Sequence, residues 1–85
     1  MPHFKDPRFR PCYDALPSDV RKLADKAFAL LKHDPKHPSL RFKRIRGDLW
    51  SARVGLHYRA LALSCEDGFQ WFWIGTHGEY DRIVG

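Results

Sequence analysis

The sequence is poor in the features on which much small-protein chemistry depends. Cysteine occurs twice in 85 residues, at Cys12 and Cys65. The two are far apart and form no CxxC, which excludes a paired-thiol redox motif and a cysteine metal knuckle. No apolar run approaches the roughly 20 residues that cross a bilayer as a helix, so no membrane partner is expected. Glycine-rich phosphate loops and serine-nucleophile elbows are absent. His33 and His37 stand four residues apart, but Pro35 between them keeps them off one helical face. No other spacing suggests a metal site, and we expect neither a metal nor a small-molecule cofactor. Nothing repeats, and no low-complexity tract or linker divides the chain, so one domain over residues 1–85 is expected. The first residues carry no secretory hydrophobic segment, which points to a cytoplasmic protein with free thiols.

What the chain does have is aromatic bulk and positive charge. It is 44% hydrophobic and 14% aromatic, too apolar for a disordered chain of this charge. A chain of this length buries only about 60–65% of its unfolded surface, so large rings suit its small core. Fifteen Lys and Arg face ten Asp and Glu, giving a formal charge of +5 and a pI near 9.6. That balance fits an anionic partner, nucleic acid or an acidic protein, and it also fits an ordinary basic surface.

Periodicity divides the chain into helices first and strands after. Residues 1–17 read as a short broken helix, with Asp6 as cap, Pro7 at the first helical position and Pro11 interrupting it. Ser18 is a good cap for the next helix, in which Val20, Leu23, Ala24, Ala27, Phe28, Leu30 and Leu31 follow helical spacing to about His33. Asp34-Pro35 stops it. Four strands follow: Leu40–Arg46, Leu49–Gly55, Tyr58–Cys65 and Phe69–Gly75. The alternation slips at Arg44-Ile45, the signature of a bulge or a strand end. Asp67-Gly68 reads as a type I′ hairpin turn. The last strand is apolar on both sides and is expected to be central, or covered by a partner. The expected class is α+β, an N-terminal helical pair packed on a four-stranded antiparallel sheet.

Three groups of residues carry candidate chemistry. Arg41, Lys43, Arg44 and Arg46 form a basic strand that can track a phosphate backbone, or that guards a sheet edge against aggregation. Arg53 and Arg59 are single arginines inside apolar strands. Each pairs with a carboxylate (Asp48, Glu66 and Glu79 are the candidates) or faces an anion site, because an unpaired buried charge is expensive. His77 follows the last strand, where an imidazole can exchange protons near neutral pH without being buried. Tyr80 beside it can stack on a base, donate its hydroxyl, or anchor the C-terminal segment.

Taken together, the segments PSL-R-F-K, G-x-x-W-S-x-R-V, Y-R-A-L and W-x-W-I-G-T-H-x-E-Y-D-R resemble the RelE/ParE superfamily of type II toxins, most of all its RelE-like cytotoxic translational repressors. The resemblance covers about residues 13–84 and is most specific over Gly47–Leu61. It implies a ribosome-dependent mRNA endoribonuclease that needs no metal, is partnered by a cognate antitoxin, and acts on mRNA in the ribosome. The 2′-hydroxyl attacks the neighbouring phosphate while an acid protonates the leaving oxygen. Carried onto this chain, the resemblance makes Arg59 the scissile-phosphate contact and Arg53 a second one. His77 becomes the acid and Tyr80 the aromatic that orients the base, while Lys43 and Arg46 hold the RNA backbone. No residue matches the general base clearly, and Glu79 is a candidate. The superfamily opens with a β-strand, which MPHFKDPRFR does not resemble. It also contains ParE-type members that inhibit DNA gyrase on the same scaffold, and this alternative stays open, as does a binding module without chemistry.

Overall fold

A computed structural model describes residues 2–85. Strand β1 (His3–Lys5) is followed by helices α1 (Phe9–Asp14) and α2 (Ser18–His33), then by β2 (Lys43–Arg46), β3 (Leu49–Val54), β4 (Tyr58–Cys65) and β5 (Gly68–Thr76), and finally by helix α3 (His77–Val84). The five strands form one mixed sheet in the order β1-β5-β4-β3-β2. The expected meander is present as β2–β5, all antiparallel, but β1 adds a fifth strand parallel to β5. The middle of the sheet is therefore β4, and β5 lies between β4 and β1 rather than at the centre.

The opening strand inverts the usual pattern. His3 points inward and is buried, whereas Phe4 is exposed. The inward position is made tolerable by a donor: Trp71 Nε1 donates to His3 Nδ1 at 3.0 Å. The imidazole stacks on Phe69 and meets Phe42 edge-on. Gly68 lets this strand come close, since a Cβ there would collide with the Pro2 carbonyl, and Gly68 sits at φ +154°. With no positive φ at Asp67, the Asp67-Gly68 turn is not the expected type I′.

Local chemistry explains the other differences. Asp6 does not cap a helix at Pro7. Its carboxylate instead accepts from the Arg8 backbone and guanidinium, and α1 starts at Phe9. Pro11 then falls within the first turn, where backbone N–H groups have no helical partner to lose. Pro17, not Ser18, holds the cap position of α2, because its carbonyl takes the first helical bond from Arg21. The expected strand from Leu40 is shorter. Pro38–Leu40 is a 3₁₀ turn held by Ser39 on the His37 ring, and Arg41 is left-handed at φ 44°. The irregularity between Arg44 and Arg46 lies where the alternation slips.

Helices α1 and α2 cover one face of the sheet. There Val20, Ala24 and Leu31 pack on Ala52, Val54 and Trp71. Helix α3 lies on β4 and β5 from the opposite face, where Ser51 and Leu61 are wholly buried. The Tyr80 hydroxyl donates to Ser51 Oγ at 3.4 Å and fixes α3 there.

Candidate functional site

The face beneath α3 is assembled by register. Arg53 and Arg59 are directly opposite each other on β3 and β4, and Arg59 is opposite Gly75 on β5. Strand alternation puts Ser51, Arg53, Arg59 and Leu61 on this face. Lys43, opposite Ser51, and Arg46, opposite Leu49, share it. Arg44, opposite Trp50, lies on the other face, and Arg41 lies outside the strand. Of the four expected backbone-binding cations, two thus share the face with the paired arginines.

Like charges directly across a strand pair repel, yet among the described residues neither arginine meets a carboxylate. The ion pairs among the described residues are Arg8–Asp6 and Arg10–Asp14, and His77 contacts Asp81, a pair that is ionic only when the ring is protonated. The expected carboxylate partners are engaged elsewhere or lie apart: Asp48 accepts from Ser64, and Glu79 from Thr76. Arg59 lies over the Tyr80 ring, its guanidinium carbon 5.6 Å from the centroid. That aromatic face holds the cation without using its N–H fork, which has no protein acceptor among the described residues. Arg53 differs, because its Nε donates to the Gly55 carbonyl at 3.1 Å and the head group turns toward the β3–β4 turn. The backbones of the two arginines are brought together and their guanidinium groups are not.

Helix α3 brings His77 to this face. Thr76 and Glu79 form a capping box: Thr76 Oγ1 accepts from the Glu79 N–H, and Glu79 Oε1 accepts from the Thr76 N–H at 2.9 Å. These bonds, the backbone one first, hold the Glu79 carboxyl below the usual carboxylate range, which makes it a poor proton acceptor. Glu79 is the end of a helix rather than a good general base. His77 is exposed at the first position of α3, with Nδ1 3.1 Å from Asp81 Oδ2. When Nδ1 carries the proton it donates to Asp81 and leaves Nε2 facing solvent. Asp81 is a functional candidate that the sequence reading leaves without a role, although its i, i+4 spacing from His77 was visible. Tyr80 neighbours both candidate groups, its ring centroid 6.0 Å from that of His77 and 5.6 Å from the Arg59 guanidinium carbon. It is buried, and its hydroxyl bond to Ser51 ties α3 to the sheet. Beyond α3, Arg46 donates to the Val84 carbonyl at 3.0 Å, satisfying a free carbonyl at the helix end.

The arrangement offers a guanidinium fork without a protein acceptor, an exposed imidazole with an orienting carboxylate, and flanking cations. Chemically it can bind a phosphodiester and move a proton at its edge. Among the described residues no three His, Cys, Asp or Glu side chains form a group that could hold a metal ion. Among the described residues no helix is long and apolar enough to cross a membrane.

Over residues 18–82 the chain matches the family model described as the ParE-like toxin domain. No curated protein matches it. Solved structures share its shape. A chain of the RelB–RelE antitoxin–toxin complex from Methanococcus jannaschii superposes with a TM-score of 0.74 at 15% identity, covering 96% of this chain and 99% of that one. The isolated E. coli RelE toxin gives 0.63 at 16% identity, covering 96% and 93%. A copper-bound mutant toxin from Helicobacter pylori gives 0.63 at 16%, covering 93% and 97%. At such identity the likeness is one of fold.

Proposed function

The chain belongs to the ParE-like toxin family, and from that footing we propose that it is the toxin of a toxin–antitoxin pair, a ribosome-dependent mRNA endoribonuclease that represses translation in the cytoplasm. The observation that carries this reading is Arg59, a half-buried guanidinium held over Tyr80 with its N–H fork unclaimed, and with His77 beside the same ring. In the proposed reaction the 2′-hydroxyl of the mRNA loses its proton to water and attacks the adjacent phosphorus, forming a 2′,3′-cyclic phosphate as the bond to the 5′-oxygen breaks. Arg59 neutralises the charge that develops on the phosphoryl oxygens, an interaction stronger in the transition state than before it. His77 gives a proton to the leaving oxygen from Nε2 while Asp81 holds Nδ1–H. Tyr80 acts by positioning Arg59. Lys43 and Arg46 steer the RNA backbone, and Arg53 adds to the positive potential of the face.

Cleavage sites mapped by primer extension in a translating bacterial extract test the reading, with wild type, Arg59→Ala and His77→Ala compared. Ribosome-dependent cuts should fall by about 10²–10³-fold in Arg59→Ala, the loss typical of a removed oxyanion donor. The fall in His77→Ala should be about 10²-fold or more, as for a lost general acid. A second reading, inhibition of DNA gyrase on the same scaffold, draws support from the ParE-like family itself. It predicts no cuts, toxicity that survives His77→Ala, and a DNA-damage response. A binding module would show steeply salt-dependent RNA binding and no cuts.

A further inference from the structure

A cavity that the proposed chemistry does not use opens at the end of the sheet, beside the candidate site. Strand β5 runs to Thr76, but β1 accompanies it only as far as Trp71, so beyond that point no strand pairs with its outer edge. Helix α1 packs there instead, and a cavity of about 360 Å³ stays open between the α1–α2 turn at Leu16 and the β5–α3 junction at Thr76. Two half-buried rings border it, Tyr58 from β4 and Trp73 from β5. Gly75 lies between them and α3. A Cβ at Gly75 would stand 2.5 Å from Trp73 Cζ2 and 2.8 Å from Glu79 Oε1. The glycine thus lets an indole and a carboxylate close on one point.

Its polarity is selective. Glu79 is the one charged residue of the lining, so the cavity repels a phosphate. Oε1 of that carboxylate accepts from the Thr76 N–H and hydroxyl, whereas Oε2 has no protein partner among the described residues. The cavity therefore offers flat aromatic walls and one unclaimed anionic acceptor. A peptide strand added to β5 would need the edge that α1 occupies. A nucleobase needs only a ring to stack on and a partner for its polar edge. The register brings the two sites together: Gly75 is directly opposite Arg59, and Thr76 is opposite Tyr58. A nucleotide whose phosphate sits on Arg59 can turn its base past Gly75 into the cavity.

We propose that this cavity takes the base of a nucleotide flanking the scissile phosphate and selects against uracil, the base stacking on Trp73 and an exocyclic amino group donating to Glu79 Oε2. The proposal rests on the nuclease reading above and adds which bases that nuclease accepts. Adenine, cytosine and guanine each carry an amino group that a carboxylate can accept from. Uracil presents carbonyl oxygens instead, and these repel an anion. The capping bonds that make Glu79 a poor proton acceptor suit it to this role, because they keep the carboxylate charged as a fixed acceptor. Glu79 is then a specificity residue, while Arg59 and His77 carry the chemistry.

Two series test it, with unfolding curves run on every variant. Ribosome-dependent cleavage is mapped by primer extension on mRNAs that differ in a single base beside the cut. Short fluorescein-labelled oligoribonucleotides with the same changes are bound at equilibrium and read by anisotropy. At one flanking position wild type should favour the amino-bearing bases over uracil by about 10-fold. Glu79→Gln keeps the capping box, since glutamine caps as glutamate does, and puts an amide donor where Oε2 stood. It should erase the preference or turn it toward uracil. Trp73→Ala should lower cleavage and binding by about 10-fold for all four bases alike, because stacking is tolerant of sequence, and Trp73→Phe should recover part of the loss. Glu66→Gln, at an exposed carboxylate outside the cavity, should keep the wild-type preference. Equal treatment of the four bases by wild type in both series overturns the proposal and leaves the cavity to a protein segment. A preference that survives in folded Glu79→Gln overturns it too, and so does a Glu79→Gln variant that binds with the wild-type preference but cuts at no base, which would make Glu79 a proton acceptor. If wild type cuts nothing, the nuclease reading falls separately, and the binding series alone decides the cavity.

Discussion

The two faces of one sheet solve opposite problems. Under α1 and α2 every large group has a partner: rings meet rings, and the one inward histidine receives a hydrogen bond from Trp71. Under α3 two arginines stand across from each other without a carboxylate, and the helix above them is eight residues long. The first face gains free energy from burial. The second leaves the Arg59 N–H fork without a protein acceptor, an arrangement that is intelligible when an anion fills it. The core and the candidate site are thus separated by the pleat of a single strand, in which Ala60 serves one face and Arg59 the other.

Breaking each face in turn gives the sharpest contrast. Trp71→Ala, at a side chain 1% exposed, should cost about 3–5 kcal/mol, a large share of the stability of a domain this small. Thermal and denaturant unfolding measure it. Arg59→Ala should change stability little, because the guanidinium makes no hydrogen bond to the protein among the described residues, while cleavage falls by about 10²–10³-fold. A marked loss of stability in Arg59→Ala would mean that its contact with Tyr80 is a structural clamp, and would dissolve the division of labour.

A smaller perturbation compares the helix ends on the two faces. Thr76→Ala removes a capping box and should destabilise by about 1 kcal/mol, or about 4–8 °C in Tm for a domain of this size. It should also slow cleavage, because α3 carries both Tyr80 and His77. Ser18→Ala starts α2, where no side-chain cap bond exists, and should change stability by less than about 0.5 kcal/mol. Equal effects at the two sites would show that α3 is held by packing through Tyr80 rather than by its cap.

How far the sequence could be read follows the same division. Helix α2 and strands β3 to β5 announce themselves through period and turn residues, and the shared face of Arg53 and Arg59 follows from alternation alone. Strand β1 does not, because its polar residue faces in, its Phe4 faces out, and its partner Phe69 lies at the other end of the chain. Helix α3 was legible in principle, since Thr76-x-x-Glu79 is a capping-box spacing. The apolar run before it and the glycine at its second position made the segment read as a strand end. The destination of the Arg53 head group was not legible. Where a long side chain goes depends on the carbonyl at Gly55 and on where β2 stops, and neither leaves a trace in local pattern.

The smallest expected effect tests whether the helix-covered face really tolerates no charge. His3 Nδ1 accepts from Trp71, so the neutral ring carries its proton on Nε2, and a second proton would take the acceptor away. Burial, with the Lys32 charge adding to it, holds the His3 imidazole below its ordinary value of 6.5. Between that ordinary value and the folded one, the unfolded chain binds a proton that the folded chain does not. The contribution of His3 is therefore complete above the ordinary value and declines as pH falls below it. The lowered Glu79 and Asp6 carboxyls add losses only at more acid pH, below 4.5 and 3.8. Stability measured from about pH 7.5 to about pH 5.5 should fall in wild type. The fall should be shallower in His3→Gln, which keeps an acceptor for Trp71 and does not titrate. Parallel slopes would mean that β1 opens readily enough for His3 to be protonated in the folded chain, and that the inward histidine is no barrier to charge on that face.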